Sequence, residues 1–291
     1  MIQRNNNLSV LPFYASIEEQ NHRKSYAYGE IYPLYTAINS VPRFQVVIPT
    51  SEASISSVSL YTSKGVYVGA LTAWMVEGGL QKKAFTSEGY DVIVYPAGTT
   101  SETSATIAEG QYYIVITLSD STKYYSDIFT CVGMVSAYLK IEWWDVDDFV
   151  MDGARIVYPL GEDSWFKNCL LLNTELGKPD YEFNEEGEQR DGYFFPELQI
   201  SEKKYKAAFL ASEYLCDVMR FIRMADYVKI TDKYGNIYRA DTFLITPKWE
   251  AQGDLAAVEL EFTCDTVGKK IARPVSSVGD FNNDFNEDFF N

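Results

Sequence analysis

GQYYIVITL (Gly110–Leu118) is the stretch that decides the fold. In an extended chain Tyr112, Ile114, Ile116 and Leu118 fall on one side, and Tyr113, Val115 and Thr117 on the other. β-branched and aromatic residues crowd together here without helical spacing, so the segment reads as a strand. Both sets are largely apolar, which predicts a strand covered on both faces.

The same texture recurs on either side. Phe44–Ile48, Ser54–Thr62, Gly65–Ala73, Tyr90–Tyr95 and Tyr124–Val132 are short runs rich in Val, Ile, Tyr and Thr. Pro49, Ser63-Lys64-Gly65, Pro96-Ala97-Gly98 and Ser119-Asp120-Ser121 separate them with turn chemistry. Strands at this spacing across residues 41–135 describe an immunoglobulin- or fibronectin-like β-sandwich. There is no Cys–Trp–Cys signature, so spacing alone carries that assignment.

A second β-rich (α+β) domain is expected over 136–272. Tyr138–Trp144, Ala154–Tyr158, Asn168–Asn173 and a run around Tyr205–Leu210 read as strands. KPDYEFNEEGEQRDG (Lys178–Gly192) reads as a charged loop. One short helix is predicted near 212–226. Ser212 caps it, Glu213 and Asp217 sit in its first turns, and Leu215, Val218, Met219, Ile222 and Ala225 form its apolar stripe. Tyr227–Thr231 and Asn236–Phe243 form a hairpin in which Gly235 takes a positive φ. Leu255–Cys264 is the clearest amphipathic strand, with Val258, Leu260, Phe262 and Cys264 inward and Glu259, Glu261 and Thr263 outward.

Two segments flank these domains. Residues 1–40 form an arm whose Tyr26, Tyr28, Ile31, Tyr32, Leu34 and Tyr35 carry apolar surface without a clean period, so it should pack on something else. Residues 273–291 form an acidic, Phe-rich tail. Its Phe281, Phe285 and Phe289 recur at a four-residue step, which would align them on one helical face able to dock in a partner.

Composition narrows function. The chain has 22 Tyr, 17 Phe and 5 Trp, or 15% aromatic residues, which favours strands and supplies amphipathic rings for interfaces. With 41 acidic against 25 basic residues the net charge is −16, which repels phosphate backbones and argues against nucleic acid. No stretch approaches a membrane span, and Met1–Leu8 lacks the apolar core of a signal peptide, so synthesis and retention in the cytosol are expected. Cys131, Cys169, Cys216 and Cys264 are widely spaced without a CxxC, which reads as four buried free thiols.

Candidate chemistry is sparse. The only His is His22, between Asn21 and Arg23, and no GxSxG surrounds a Ser, so a His-based triad has no base. Asp145, Asp147, Asp148 and Asp152 beside Trp143 and Trp144 come nearest to a paired-carboxylate or calcium site, but they read better as a solvated acidic turn. Gly78-Gly79 reads as a turn and Lys82-Lys83 is too small for a basic patch; no phosphate-binding glycine motif occurs. No catalytic, metal or cofactor residue is assigned. Binding remains. Trp74, Trp143, Trp144, Trp165 and Trp249 could stack on sugars, yet Trp143 and Trp144 are adjacent on a strand. Only one can face the core, and the other needs a cover, so both are candidate partner-binding residues together with Phe281, Phe285 and Phe289.

GQYYIVITLSDSTKYYSDIFTCV (Gly110–Val132), then YLKIEWWD (Tyr138–Asp145) and the long stretch Asp191–Phe262, resemble segments of virion proteins of Bacteroides-infecting phages, including crAss-like phages. The resemblance covers about a third of the chain and carries no catalytic motif. It implies a non-enzymatic structural protein of the phage tail (hub, ring or baseplate) with an immunoglobulin-like module. It also implies assembly as a homo-oligomer with other virion proteins, and location in the virion. The expectation is that the second domain makes the ring contact while the arm and tail fasten subunits. The alternative is a carbohydrate-binding or adhesion module at a bacterial or virion surface.

Overall fold

The computed structural model describes residues 10–20, 34–49, 54–71, 81–85, 90–95, 107–145, 167–190, 192–249 and 255–270, with backbone alone at 45–49, 81–85, 90–95 and 190. The fold is mainly β. In chain order the strands are β1 (Phe13–Tyr14), β2 (Tyr35–Ala37), β3 (Phe44–Pro49), β4 (Ile55–Thr62), β5 (Tyr67–Ala70), β6 (Gln81–Phe85), β7 (Tyr90–Tyr95) and β8 (Gly110–Leu118). Then come β9 (Lys123–Ser126), β10 (Phe129–Val132), β11 (Leu139–Trp144), β12 (Asn168–Leu172), β13 (Asp180–Arg190) and β14 (Tyr193–Ser212). The short helix α1 (Glu213–Met219) precedes β15 (Tyr227–Thr231), β16 (Ile237–Arg239), β17 (Thr242–Lys248) and β18 (Leu255–Lys270).

Eleven strands make one sheet in the order β1-β9-β8-β10-β2-β12-β11-β15-β16, with β4 on β8 and β5 on β4. β8 is its spine. β4 pairs with it from Tyr112 to Leu118, while β10 and β9 pair with its two ends. One strand was expected over Tyr124–Val132, but the chain breaks at Asp127-Ile128 into β9 and β10. Ser126 fills the gap: its Oγ accepts from Ile114 N at 2.8 Å, replacing a ladder bond that the break would leave open. As the alternation of Gly110–Leu118 predicts, β8 is covered on both faces. Tyr112, Ile114, Ile116 and Leu118 belong to the main core, and Tyr113 and Val115 to a smaller cluster with Ile128.

The N-terminal segment is built into this sheet. β2 runs parallel to β10 and antiparallel to β12, so three residues near position 36 carry the sheet across the sequence boundary at 135. Val10, Leu11, Phe13 and Tyr14 are buried, and Phe13 meets Phe44 edge-on at 4.9 Å. Within the described residues the arm therefore packs on this chain's own core. Tyr26, Tyr28, Ile31 and Tyr32 lie outside them, as do His22, Trp74, Gly78-Gly79, the Ala154–Tyr158 segment, Trp165 and the tail with Phe281, Phe285 and Phe289. One contiguous core runs from Val10 to Cys264.

β3-β7-β6 form a three-stranded sheet; Lys82 and Lys83 lie on β6. A four-stranded sheet, β13-β14-β18-β17, holds the C-terminal part. Ser212 caps α1 as expected, its Oγ accepting from Leu215 N at 3.3 Å. The helix is shorter than its stripe suggests, stopping at Met219 before a 3-10 turn over Ile222–Met224. Leu215, Val218, Met219 and Ile222 are buried, so the stripe is core. The segment expected as one strand over Asn236–Phe243 divides at Ala240-Asp241: β16 closes the large sheet and β17 starts the four-stranded one. Gly235 has φ +83, as its turn requires. Of the outward set on β18, Thr263 is buried instead, and its hydroxyl is satisfied by Thr242 Oγ1 at 2.8 Å.

Candidate functional site: an arm with exposed rings

The expected charged loop over Lys178–Gly192 is a strand. β13 runs from Asp180 to Arg190 and pairs along its length with β14, which is 20 residues long. At about 3.3 Å per residue β14 spans roughly 65 Å. Its Ser212 end lies in the body, and its Tyr193 end leads out into an arm of three strands, β13, β14 and the distal part of β18. At the tip Arg190 pairs with Tyr193, and Gly192 has φ +82. After the seventh of β13's 11 residues, the register slips between Glu186 and Gly187. The backbones close in so tightly there that a Cβ on Gly187 would sit 2.1 Å from the Phe195 carbonyl oxygen. Pro196, which has no N–H, faces Gly187 at this irregularity.

Strand alternation gives the arm two unlike faces. Near the body Ala207, Phe209 and Ala211 of β14 point inward, opposite Leu260, Val258 and Ala256 of β18. The same face continues outward as Tyr205, Lys203 and Ser201, with Tyr181 and Phe183 across from it on β13 and Val267 on β18. Tyr205 still stacks on Phe262 at 5.4 Å and meets Tyr238. Beyond it cover ends: Tyr181 is 71% exposed, Phe183 60% and Val267 64%. Tyr193, Phe194 and Phe195 at the tip are exposed as well.

The opposite face is a charge ladder. Lys204 pairs with Glu182 and, at 3.3 Å, with Glu261, which Lys206 also reaches at 3.5 Å. Lys248 pairs with Glu259. The hydrogen bond from Lys204 to Glu182 holds that ammonium above its ordinary pKa, and Lys248 holds the Glu259 carboxyl below its own. Exposed pairs of this kind add little stability, but they keep this face in water. The exposed rings Tyr181 and Phe183 lie on the other face.

Trp143 and Trp144 divide as adjacent strand residues must. Trp143 is 1% exposed and lies in the core, its Nε1 without a hydrogen-bond partner among the described residues. Trp144 is stacked on Tyr227 with ring centroids 5.3 Å apart and planes 8° from parallel. Lys167 Nζ sits 4.6 Å from the Trp144 ring, and the Arg239 guanidinium 5.0 Å from the Tyr227 ring, so the stack is covered from within the chain. Trp249 is exposed on its own.

Asp145 is buried at the end of β11, where burial raises its pKa although Asp226 N donates to it at 3.0 Å. Asp147, Asp148 and Asp152 lie outside the described residues. The cysteines are free thiols, three of them buried and Cys169 half-buried. Burial pushes Cys131 up to about 12 and Cys216 to about 11, which leaves both protonated and unreactive at neutral pH. Among the described residues no three His, Cys, Asp or Glu side chains converge as metal ligands would, and no helix is long and apolar enough to cross a membrane.

Comparison with protein-family models, with curated proteins and with solved structures finds no match to the chain.

Sequence reasoning passed over Tyr181, Phe183, Tyr193, Phe194, Phe195 and Val267. The signal was present in Tyr181-Glu182-Phe183, which alternates with period two, and in Asp191-Gly192, a strong two-residue hairpin signal. The acidic run around them looked like a loop.

Proposed function

We propose that this chain is a non-enzymatic structural component of a phage tail (hub, ring or baseplate) that works as a homo-oligomer in contact with other virion proteins. The observation that carries the reading is the arm. A sheet face that begins as core and continues outward as the exposed Tyr181, Phe183 and Val267 is apolar surface with no partner among the described residues. Such surface is stable and useful when another molecule covers it, and aromatic rings are the side chains that protein interfaces favour. The resemblance of Gly110–Val132, Tyr138–Asp145 and Asp191–Phe262 to phage virion proteins supplies the setting, with synthesis in the host cytoplasm and residence in the virion.

Sedimentation over a wide concentration range tests it. Reversible association that weakens when Tyr181 and Phe183 are both changed to Ser supports the reading. A monomer at every concentration that also ignores the products of the neighbouring genes removes it. The rival carbohydrate-binding reading has the arm's rings open to it, since the Trp144 face is taken by Tyr227 and Lys167. A rise in melting temperature on a glycan panel, lost in the same double variant, would favour that rival.

A further inference from the structure

β14 lies between β13 and β18, and the registers on its two sides define levels across the arm. Phe183, Ser201 and Val267 share one level; Asn184, Ile200 and Gly268 the next; then Glu185, Gln199 and Lys269; then Glu186, Leu198 and Lys270. Residues opposed at one level point to the same face. β13 and β18 are each antiparallel to β14, so they run parallel to one another.

Both outer edges are open among the described residues. β13 ends the sheet. β17 covers β18 only as far as Thr263, and Asp241 Oδ2 accepts from Thr266 N at 3.3 Å, so the free run is Val267–Lys270. The edges also differ in charge. β13 offers Glu182, Glu185, Glu186 and Glu188, whereas the free run of β18 ends in Lys269 and Lys270, neither of which has an ion-pair partner among the described residues.

We propose that these edges pair between copies of this chain: Val267–Lys270 of one copy lies parallel beside Phe183–Glu186 of the next. The proposal rests on the homo-oligomeric reading above and names its contact. Extending each level by one strand sets Val267 beside the second copy's Phe183 on the ring-bearing face. On the next levels Lys269 meets its Glu185, and Lys270 meets its Glu186 on the opposite face. Apolar meets apolar and cation meets anion on every level that carries such groups. The two self-pairings are less favourable, because β13 on β13 brings two glutamate-bearing edges together and β18 on β18 two lysine-bearing ones. Each copy uses one edge of each kind, so the contact is heterologous and propagates until it closes into a ring or continues as a filament.

Charge swaps test it in the full-length chain, with circular dichroism to verify folding. Glu185→Lys with Glu186→Lys is expected to weaken self-association by roughly tenfold or more at low salt, as is Lys269→Glu with Lys270→Glu. Mixing the two variants restores it, because each mixed junction is again complementary. A covalent readout stands beside this one. Phe183 and Val267 of one copy are separated by β14, about 9–10 Å apart and too far for a disulfide. Oxidising the Phe183→Cys, Val267→Cys double variant should give a ladder of covalent dimers, trimers and longer species. Neither single variant should give one. Association of the wild type that ignores the swaps, with no ladder from the double variant, overturns this contact and leaves the assembly reading standing. A wild type that stays monomeric at all concentrations overturns both.

Discussion

β8 and the outer half of β14 are alike in backbone terms, since each has a strand along both of its edges. They differ in what lies above and below. β8 is sandwiched, with Ile114 and Ile116 fully buried on one face and Tyr113 and Val115 on the other. Outer β14 has no such cover among the described residues: its side chains are exposed or half-buried, and its neighbours Tyr181, Phe183 and Val267 keep their apolar surface exposed. Ladder hydrogen bonds satisfy the backbone in either place, but only cover turns a sheet face into a core. The body is thus where most rings are buried, Tyr67 and Tyr234 being exceptions, and the arm is where they stay exposed.

The sharpest way to break that comparison is to delete a ring from each region. Trp143→Ala empties a fully enclosed site in β11 and should cost about 3–5 kcal/mol, read as a shift of the urea midpoint at unchanged slope. Phe183→Ser should move the unfolding free energy of dilute, monomeric protein by less than about 0.5 kcal/mol. A loss above about 2 kcal/mol for Phe183→Ser would mean that its own chain covers that ring, and the contrast would collapse.

A smaller effect is expected where β14 passes from strand to helix. Ser212 pairs with Leu255 as the last residue of the strand and caps α1 with its hydroxyl. Ser212→Ala should cost about 1 kcal/mol, measured the same way, by leaving the Leu215 N–H without a partner at a buried helix start. Gly187→Ala should act on the arm alone. Its new Cβ meets backbone instead of a movable side chain, so the tip must open. Faster amide exchange in β13 beyond Glu186, with the body's slowest amides unchanged, is the expected signature.

The body was legible because burial and pattern agree there. Strong alternation in Gly110–Leu118 and Leu255–Cys264 is the imprint of faces that must exclude water, and Ser212 sits where a cap must. The arm was hard to read for the matching reason. A strand exposed on both faces is free to carry Glu182, Glu185, Glu186 and Glu188, and that charge hides the period-two spacing of Tyr181 and Phe183. Long-range placement left no local mark either. Nothing in Tyr35-Thr36-Ala37 says that it will sit between β10 and β12, since its partners are far away in sequence. Trp143 and Trp144 were legible as one buried and one needing cover, but that Tyr227 and Lys167 provide the cover depends on the pairing of β11 with β15.

The same contrast of inside and outside holds for charge, and two aspartates measure it. Asp145 is buried, and that burial raises its pKa, so the ionised form is disfavoured in the folded state. Its contribution to stability is therefore greatest below the unfolded value and is lost as pH rises through the folded one. Asp145→Asn keeps an oxygen for Asp226 N, and should be neutral or mildly stabilising at pH 7, with any gain vanishing in acid. Asp232, on the exposed turn between β15 and β16, shifts the other way. Partial burial pulls its pKa up, but hydrogen bonds from the Asn236 side chain and backbone, Tyr234 N and the Tyr238 hydroxyl outweigh this and hold it below the ordinary range. Its contribution is present above the unfolded value and fades as pH falls through the folded one. Asp232→Asn should cost about 1 kcal/mol at pH 7 and progressively less toward pH 3. Thermal melts of the two variants against wild type from pH 7 to pH 3 should converge from opposite sides. Melts that diverge in acid would mean that these two carboxylates do not sit on opposite sides of the water boundary.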